Sequence, residues 1–383
     1  MKKNVYYNIS LIASLVIVFV FFCYTNPFTH QHKTLNVPPP PIEDTTLTLF
    51  FAGDLMGHEP IINAAKIQNK DSFEYNHWFK YLTPTIEKYD FSIVNLEVTL
   101  GGEPYSGYPQ FSSPDSYAAA TKKAGFDYFI TANNHSLDRG KKGLERTLDK
   151  LDELKIPHTG TFKNEKDRED NYPSIQLLND KRIAILNYTY GTNGLIVQAP
   201  NIVNLIDTSI IKKDIQNAKS KNSDFILLTI HWGSEYQRNY NSEQKKLAQW
   251  LCDKGVDAII GMHPHVVQPM EILHPKDNPS KNVPVAYSLG NFISNQRARY
   301  KNGGIGVGLH LKIKKNEITF DHWEFVPIWV RLGGTPKGYY TIPAFDFEKN
   351  EKSYGFDAVE TTQMKEFISD TRELLNNVKE LKE

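Results

Sequence analysis

TLTLFFAGD, residues 46–54, is the stretch whose reading decides the fold. Its first seven residues carry no charge and stop at Gly53-Asp54, as a strand buried on both faces does. The run is too short for a helix, and its Thr and Phe content favours a strand. Asp54 therefore stands at a strand's carboxyl end, which is where open α/β sheets bind ligands.

The same pattern recurs on both sides of that reading. FSIVN (91–95), DYFITA (127–132) and residues 182–188, 224–230, 257–261 and 285–289 read as further short strands. Helical stretches fill the gaps at about 58–70, 76–88, 115–125, 141–154, 210–220 and 242–254. Short strands alternating with helices of this length predict a layered α/β fold. After Gly303 the character changes: GIGVGLHLKIK and EITFDHWEFVPIWV predict paired β-strands, with a closing helix over about 361–382. We place the main domain over 46–330 and a C-terminal extension over 331–383.

Upstream, Lys2 and Lys3 precede a span, residues 4–32, without Asp, Glu, Lys or Arg. Its apolar part reaches the ~20 residues a helix needs to cross a bilayer. The run ends in Val20, Phe21, Phe22, Cys23 and Tyr24, whereas a signal-peptidase site wants small residues. Residues 1–24 are accordingly expected to be an uncleaved anchor rather than a cleaved signal, and Phe22 disfavours lipid processing at Cys23. With the two lysines in the cytoplasm, the rest of a single-pass membrane protein lies outside. Residues 25–45, with Pro27 and Pro38 to Pro41, read as an extended linker. Lys plus Arg and Asp plus Glu number 44 each, so no basic excess points to nucleic acid. Cys23 lies in the apolar run, so a disulfide with Cys252 is not expected.

The polar residues that follow the strands carry the chemistry. Asp54 follows the first; Asn95 and Glu97 the second; Asn134 and His135 the third. His231 follows LLTI, His263 and His265 follow DAIIG, and Ser288 and Asn291 flank the end of AYSL. Each has a structural alternative: Asp54 as a helix N-cap, Glu97 as a surface residue, Asn134 as a turn residue, His231 as a core histidine. Pro264 keeps His263 out of the α-region, which predicts extended backbone between the two imidazoles. Together these residues predict a metal site at one sheet edge. Histidines mixed with carboxylates and an amide suit Zn, Mn, Fe or Ni better than Mg or Ca. The set suffices for one or two divalent ions, two being about 3.5–4 Å apart. His58, Asn95 and Asn291 are additional candidates. Arg139, Arg238, Arg297 and Arg299 lie beside the motifs, as binders of a substrate's acidic groups or as solvated surface charge.

GDLMGH (53–58), NLE (95–97), ANNHSLDRG (132–140), HWGSEY (231–236), GMHPHV (261–266) and YSLGNF (287–292) occur in the order seen in the CapA family of poly-γ-glutamate capsule biosynthesis, which the chain resembles over about 47–325. The resemblance implies a relative of the calcineurin-type metallophosphoesterases, with a four-layer α/β/β/α sandwich. It implies that Asp54, Glu97, Asn134, His231, His263 and His265 are metal ligands and that His135 acts on the leaving group. The superfamily's opening Asp-x-His is absent, since Leu55 and Met56 follow Asp54, and His58 is the candidate replacement. GDxxD is represented only by NLE. The function so implied is a membrane-anchored, extracytoplasmic, metal-dependent hydrolase or transferase of capsule or exopolymer formation. It would act on a phosphoester or amide of an anionic polymer or its precursor, beside membrane synthase subunits. One alternative is a non-catalytic polymer-binding or scaffold subunit. Another is a phosphodiesterase or nucleotidase with a base clamp from Trp232, Tyr236 or Tyr240.

Overall fold

A computed structural model describes residues 44–315, 317–333 and 337–383. The expected anchor and linker lie outside the described residues, apart from the linker's last two. Among the described residues, no helix is long and apolar enough to cross a membrane.

In chain order the strands are β1 (Thr45–Leu55), β2 (Phe91–Leu96), β3 (Tyr128–Ile130), β4 (His158–Thr159), β5 (Thr161–Phe162) and β6 (Ser174–Leu178). There follow β7 (Lys181–Thr189), β8 (Ile202–Val203), β9 (Phe225–His231), β10 (Ala258–Met262), β11 (Met270–Leu273) and β12 (Val283–Ala286). The last are β13 (Asn291–Ile293), β14 (Gly303–Lys314), β15 (Glu317–Gly333), β16 (Gly338–Pro343) and β17 (Lys379–Glu380). One sheet has the order β16-β15-β14-β1-β2-β3-β4, with β13 beside β1 and β17 beside β15. The other runs β11-β12-β10-β9-β7-β6. Strands β1 to β4 are parallel, as are β7, β9, β10 and β12.

Period-two alternation builds the layers. Leu47, Leu49 and Phe51 of β1 join Ile183, Leu227 and Ile260 of the second sheet in one buried cluster between the sheets. Phe50 and Ala52 turn the other way, toward Tyr117 and Ala118 of helix α1 (Asp115–Lys123). On the far side, Ile226, Leu228 and Ile230 meet Ile211 and Ile215 of α2 (Thr208–Ser220) and Ala248 and Leu251 of α3 (Ser242–Lys254). The result is the expected four-layer sandwich.

Several expectations are corrected. The first strand continues to Leu55, so Asp54 is in the sheet and His58, not Asp54, occupies the next helix's N-cap position. The helix expected over 76–88 is a 3-10 turn (Asn76–Phe79) and a four-residue helix (Thr83–Ile86), because Pro84 fits only a helix's first turn. The closing helix α4 is Ala358–Leu374; the chain then leaves through Asn376-Asn377, poor helix formers, and β17 pairs with β15. The boundary expected at 331 falls inside β15, and β16 extends the larger sheet beyond it.

Candidate metal centre

The carboxyl ends of β1, β2, β3, β9 and β10 converge on one crevice. The β1–β2 register shifts between Ala52 and Asp54, which re-aims Asp54. Gly53 is required there, because an added Cβ would collide with the Gly290 carbonyl oxygen. Asp54 N–H donates to that same oxygen at 3.0 Å, and Glu97 N–H donates to Leu55 O at 3.1 Å. Asn133 fastens the third loop: its Nδ2 donates to Leu96 O (2.8 Å) and Asn95 Oδ1 (3.2 Å), and its Oδ1 accepts from His135 N–H (3.1 Å). Asn95 Nδ2 in turn donates to Asp54 Oδ1 at 2.8 Å. His263 and His265 adopt φ of 99° and 56°, so the pre-proline restriction is met by left-handed rather than extended backbone. Such strain at a candidate site costs on the order of 1–3 kcal/mol per residue.

The six predicted ligands are brought together, all buried. His265 Nδ1 lies 3.1 Å from Asp54 Oδ2, and its Nε2 lies 3.7 Å from Glu97 Oε1. His231 Nε2 lies 3.4 Å from Glu97 Oε1 and 2.8 Å from Asn134 Oδ1. Ligand atoms converge in two groups, Glu97–His263–His265 and Asp54–Glu97–His231, with atoms within 4.8 Å of one another in each. Glu97 belongs to both.

The electrostatics of the cluster suit a bound cation. Glu97 is sealed from solvent, and neither of its oxygens accepts a hydrogen bond among the described residues. Burial and then the neighbouring Asp54 carboxylate push its carboxyl well above the usual range. Burial, then the adjacent imidazoles, pulls His231 well down. Burial followed by His265 lowers His263 to about 3, and burial followed by His265 and His135 lowers His58 to about 4. The lowered His231 and His263 are suited to act as neutral metal ligands, and Nδ1 of both His263 and His265 is buried without a hydrogen bond among the described residues. Two adjacent carboxyl groups and three imidazoles fit one or two divalent metal ions, which would supply positive charge to the sealed Glu97.

His135 Nδ1 lies 2.7 Å from Asp138 Oδ2, which also accepts Phe111 N–H at 2.7 Å. Sequence reasoning missed Asp138, although a His-x-x-Asp spacing was its signal. It also missed Tyr190 and Asn193. The Tyr190 ring lies 4.5 Å from that of His263 and nearly parallel to that of His231. Asn134 Nδ2 donates to Asn193 Oδ1 at 3.1 Å, while Asn193 Nδ2 is 3.5 Å from His135 Nδ1.

Other candidates sit around the cluster. His58 belongs to neither ligand group; its Nδ1 accepts from Asn295 N–H at 3.3 Å. Asn291 Nδ2 donates to the carbonyls of His265 and Lys301. Arg139 reaches Pro104 O, and Arg238 reaches Asp370 O. Neither makes a hydrogen bond or ion pair with a cluster member among the described residues. Arg297 donates to Val330 O, and Arg299 pairs bidentately with Asp370. Trp232 and Tyr240 stack on Tyr287 and leave only Tyr236 of the expected clamp at the site.

With a buried His–carboxylate cluster on its strand ends and a His–Asp pair beside it, this α/β protein has residues that could hold a divalent metal ion. Residues 48–296 match the family described as bacterial capsule synthesis protein PGA_cap, and the chain belongs to that family. It is 27% identical over 349 residues to the capsule biosynthesis protein CapA of Bacillus anthracis, covering 88% of this chain and 79% of that protein. It is 26% identical over 322 residues to the PGA biosynthesis protein CapA of Bacillus subtilis, covering 81% and 78%. Among solved structures it resembles the calcineurin-like phosphoesterase YfkN of Bacillus subtilis, with a TM-score of 0.45 and 12% identity over 84% of this chain and 99% of that one.

Proposed function

We propose that the chain is a metal-dependent hydrolase or transferase of capsule or exopolymer formation, held outside the cytoplasm by its N-terminal apolar segment. The observation that carries the reading is Glu97, a sealed carboxylate without a hydrogen-bond donor at the junction of two ligand groups. Glu97, His263 and His265 would hold one divalent ion, and Asp54, Glu97 and His231 a second, with Asn134 beside His231. When bound, such ions lower the pKa of water and polarise the ester or amide oxygen. Asp138 holds the proton of His135 on Nδ1, which leaves Nε2 to exchange a proton with the leaving group. His135 is then the general acid and Asp138 its positioning residue. Asn133 keeps the His135 loop in register with β2. The polymer-related role follows the family description, and the bond attacked is a phosphoester or an amide.

Elemental analysis of the purified full chain tests this. We expect one or two transition-metal ions per chain and their loss in Glu97→Gln and His263→Ala. A protein that stays metal-free after reconstitution with Mn and Zn sinks the enzymatic reading, and a non-catalytic subunit of a synthase takes its place.

A further inference from the structure

Large apolar side chains rarely stay in solvent without a reason when they gather in one place. Ten are exposed among the described residues, and five of them, Tyr108, Tyr190, Leu195, Ile196 and Tyr236, lie on three loops that border the metal cluster. Tyr190 and Tyr236 pack near histidines of the cluster, and Tyr108 is linked to His135 through Phe111. Tyr190 is 46% exposed and lies over His263 and His231. Tyr236 is 43% exposed, its ring is 6.2 Å from that of His265, and its N–H donates to Pro264 O at 2.8 Å. Tyr108, 78% exposed, leans on Phe111, which packs edge-on against His135 at 4.6 Å.

The charges at this mouth are few: a carboxylate, Glu235, beside the Tyr236 hydroxyl, and a small number of cations. Arg139, Arg238 and Arg299 are engaged by protein groups, as described above, and Lys301 Nζ lies 3.8 Å from the centre of the Tyr236 ring. A run of carboxylates would need a row of free cations, which these loops do not offer. No two of the three tyrosines are in ring contact; Lys301 covers one face of Tyr236, which leaves its other face and the rings of Tyr108 and Tyr190 as platforms. Between them stand amides: Asn193 beside Asn134 and His135, and Gln296, whose Nε2 donates to the Tyr236 hydroxyl at 3.4 Å. Flat rigid faces interleaved with amides suit a ring that has an apolar face and hydroxyls on its edge.

Resting on the metal-site reading above, we propose that Tyr108, Tyr190 and Tyr236 form a collar that binds the pyranose of a glycosyl phosphate, with the phosphate reaching the metal cluster. The substrate class is thus a sugar phosphoester, and the collar sets specificity by the ring while the metals take the charge.

The test is binding to the metal-reconstituted full chain, with α-D-glucose 1-phosphate, inorganic phosphate, AMP and a γ-glutamate oligomer as probes. Glucose 1-phosphate should bind most tightly. Tyr108→Ala and Tyr236→Ala should each weaken it about three- to tenfold while leaving inorganic phosphate binding and metal content unchanged. Tighter binding of AMP or the γ-glutamate oligomer overturns the proposal, as does an equal loss of inorganic phosphate binding in the tyrosine variants. Saturation-transfer NMR with uncharged methyl α-D-glucopyranoside separates the two readings, because it needs no metal. Transfer to the sugar ring in a metal-free protein supports the collar even where the metal reading has failed. Absence of transfer in a metal-loaded protein overturns the collar alone.

Discussion

Two clusters of histidine and carboxylate, one at the strand ends of both sheets and one on the larger sheet alone, are electrostatic opposites. At the strand ends, Glu97 meets His231 and His265, and no donor satisfies either oxygen. On the β14–β15 pair, Glu324 Oε1 accepts from Tyr89 Oη and pairs with His310 Nε2, both at 3.1 Å, and Oε2 lies 3.3 Å from Lys379 Nζ. The carboxyl of Glu97 is pushed well above its ordinary range, chiefly by burial. That of Glu324 is held down to about 2, first by the His310 hydrogen bond. The second cluster is complete as protein: His310 stacks on His322 at 4.2 Å, and His322 Nδ1 lies 2.7 Å from Asp321 Oδ2. Histidine beside glutamate is therefore not itself the mark of a metal site. The mark is a buried carboxylate that the protein leaves without donors.

The strongest way to break this contrast is to neutralise each glutamate. Glu97→Gln removes the ligand shared by both groups, so Mn affinity should fall by more than about 100-fold and turnover with it. Equilibrium dialysis of both variants checks this, and Glu324→Gln should retain the wild-type metal content. Equal metal loss in the two variants would show the contrast to be false. Next in size, His135→Ala or Asp138→Asn should lower kcat by about 10²–10⁴ with metal retained. Metal loss in either variant would make the pair structural rather than catalytic.

Much of this was legible in the chain because most of the candidate ligands sit one or two residues past runs of apolar sequence, and His265 follows His263 across Pro264. TLTLFFA, FSIVN and DAIIG fix strands, and the topology carries their carboxyl ends to one crevice. The parts that were not legible depend on long-range contacts or special backbone. Nothing in TYGTNG announces that Tyr190 and Asn193 fold back over the histidines, because turn residues have no periodicity. Arg238 reads locally as a substrate arm, yet its partner Asp370 is 132 residues away. The left-handed His263 and His265 run against the extended backbone that Pro264 suggested. Functional sites are where local rules are expected to fail in this way.

Asp370 gives an intermediate case: its carboxylate pairs with Arg299, and its backbone carbonyl accepts from Arg238. Its bidentate pair with Arg299 is reached by solvent on the arginine side, which is 56% exposed. Asp370→Ala should lower stability in urea unfolding only slightly, by less than the loss of a sealed pair would. Glu324→Gln loses hydrogen bonds to a charged acceptor and should cost a similar or smaller amount, about 1 kcal/mol. Larger losses than these in metal-free protein would mean that the C-terminal helix and the β14–β15 pair anchor the fold more than their exposure suggests.

The smallest effect is the pH dependence, and it separates the two glutamates by sign. Glu324 has a folded value of about 2 against an ordinary 4.5, so its contribution is fully present above pH 4.5 and is lost as pH falls toward 2. Lys379, one of its partners, is 68% exposed, and solvent screening reduces the contribution to about 1 kcal/mol. A depressed carboxyl thus destabilises the fold on acidification, whereas a raised one such as Glu97 takes up its proton more readily folded than unfolded. Urea unfolding of metal-free wild type and Glu324→Gln should therefore differ by a constant amount above about pH 5 and converge below it. A difference that persists unchanged to pH 2 would show that packing, rather than the charge on Glu324, holds the β14–β15 cluster together.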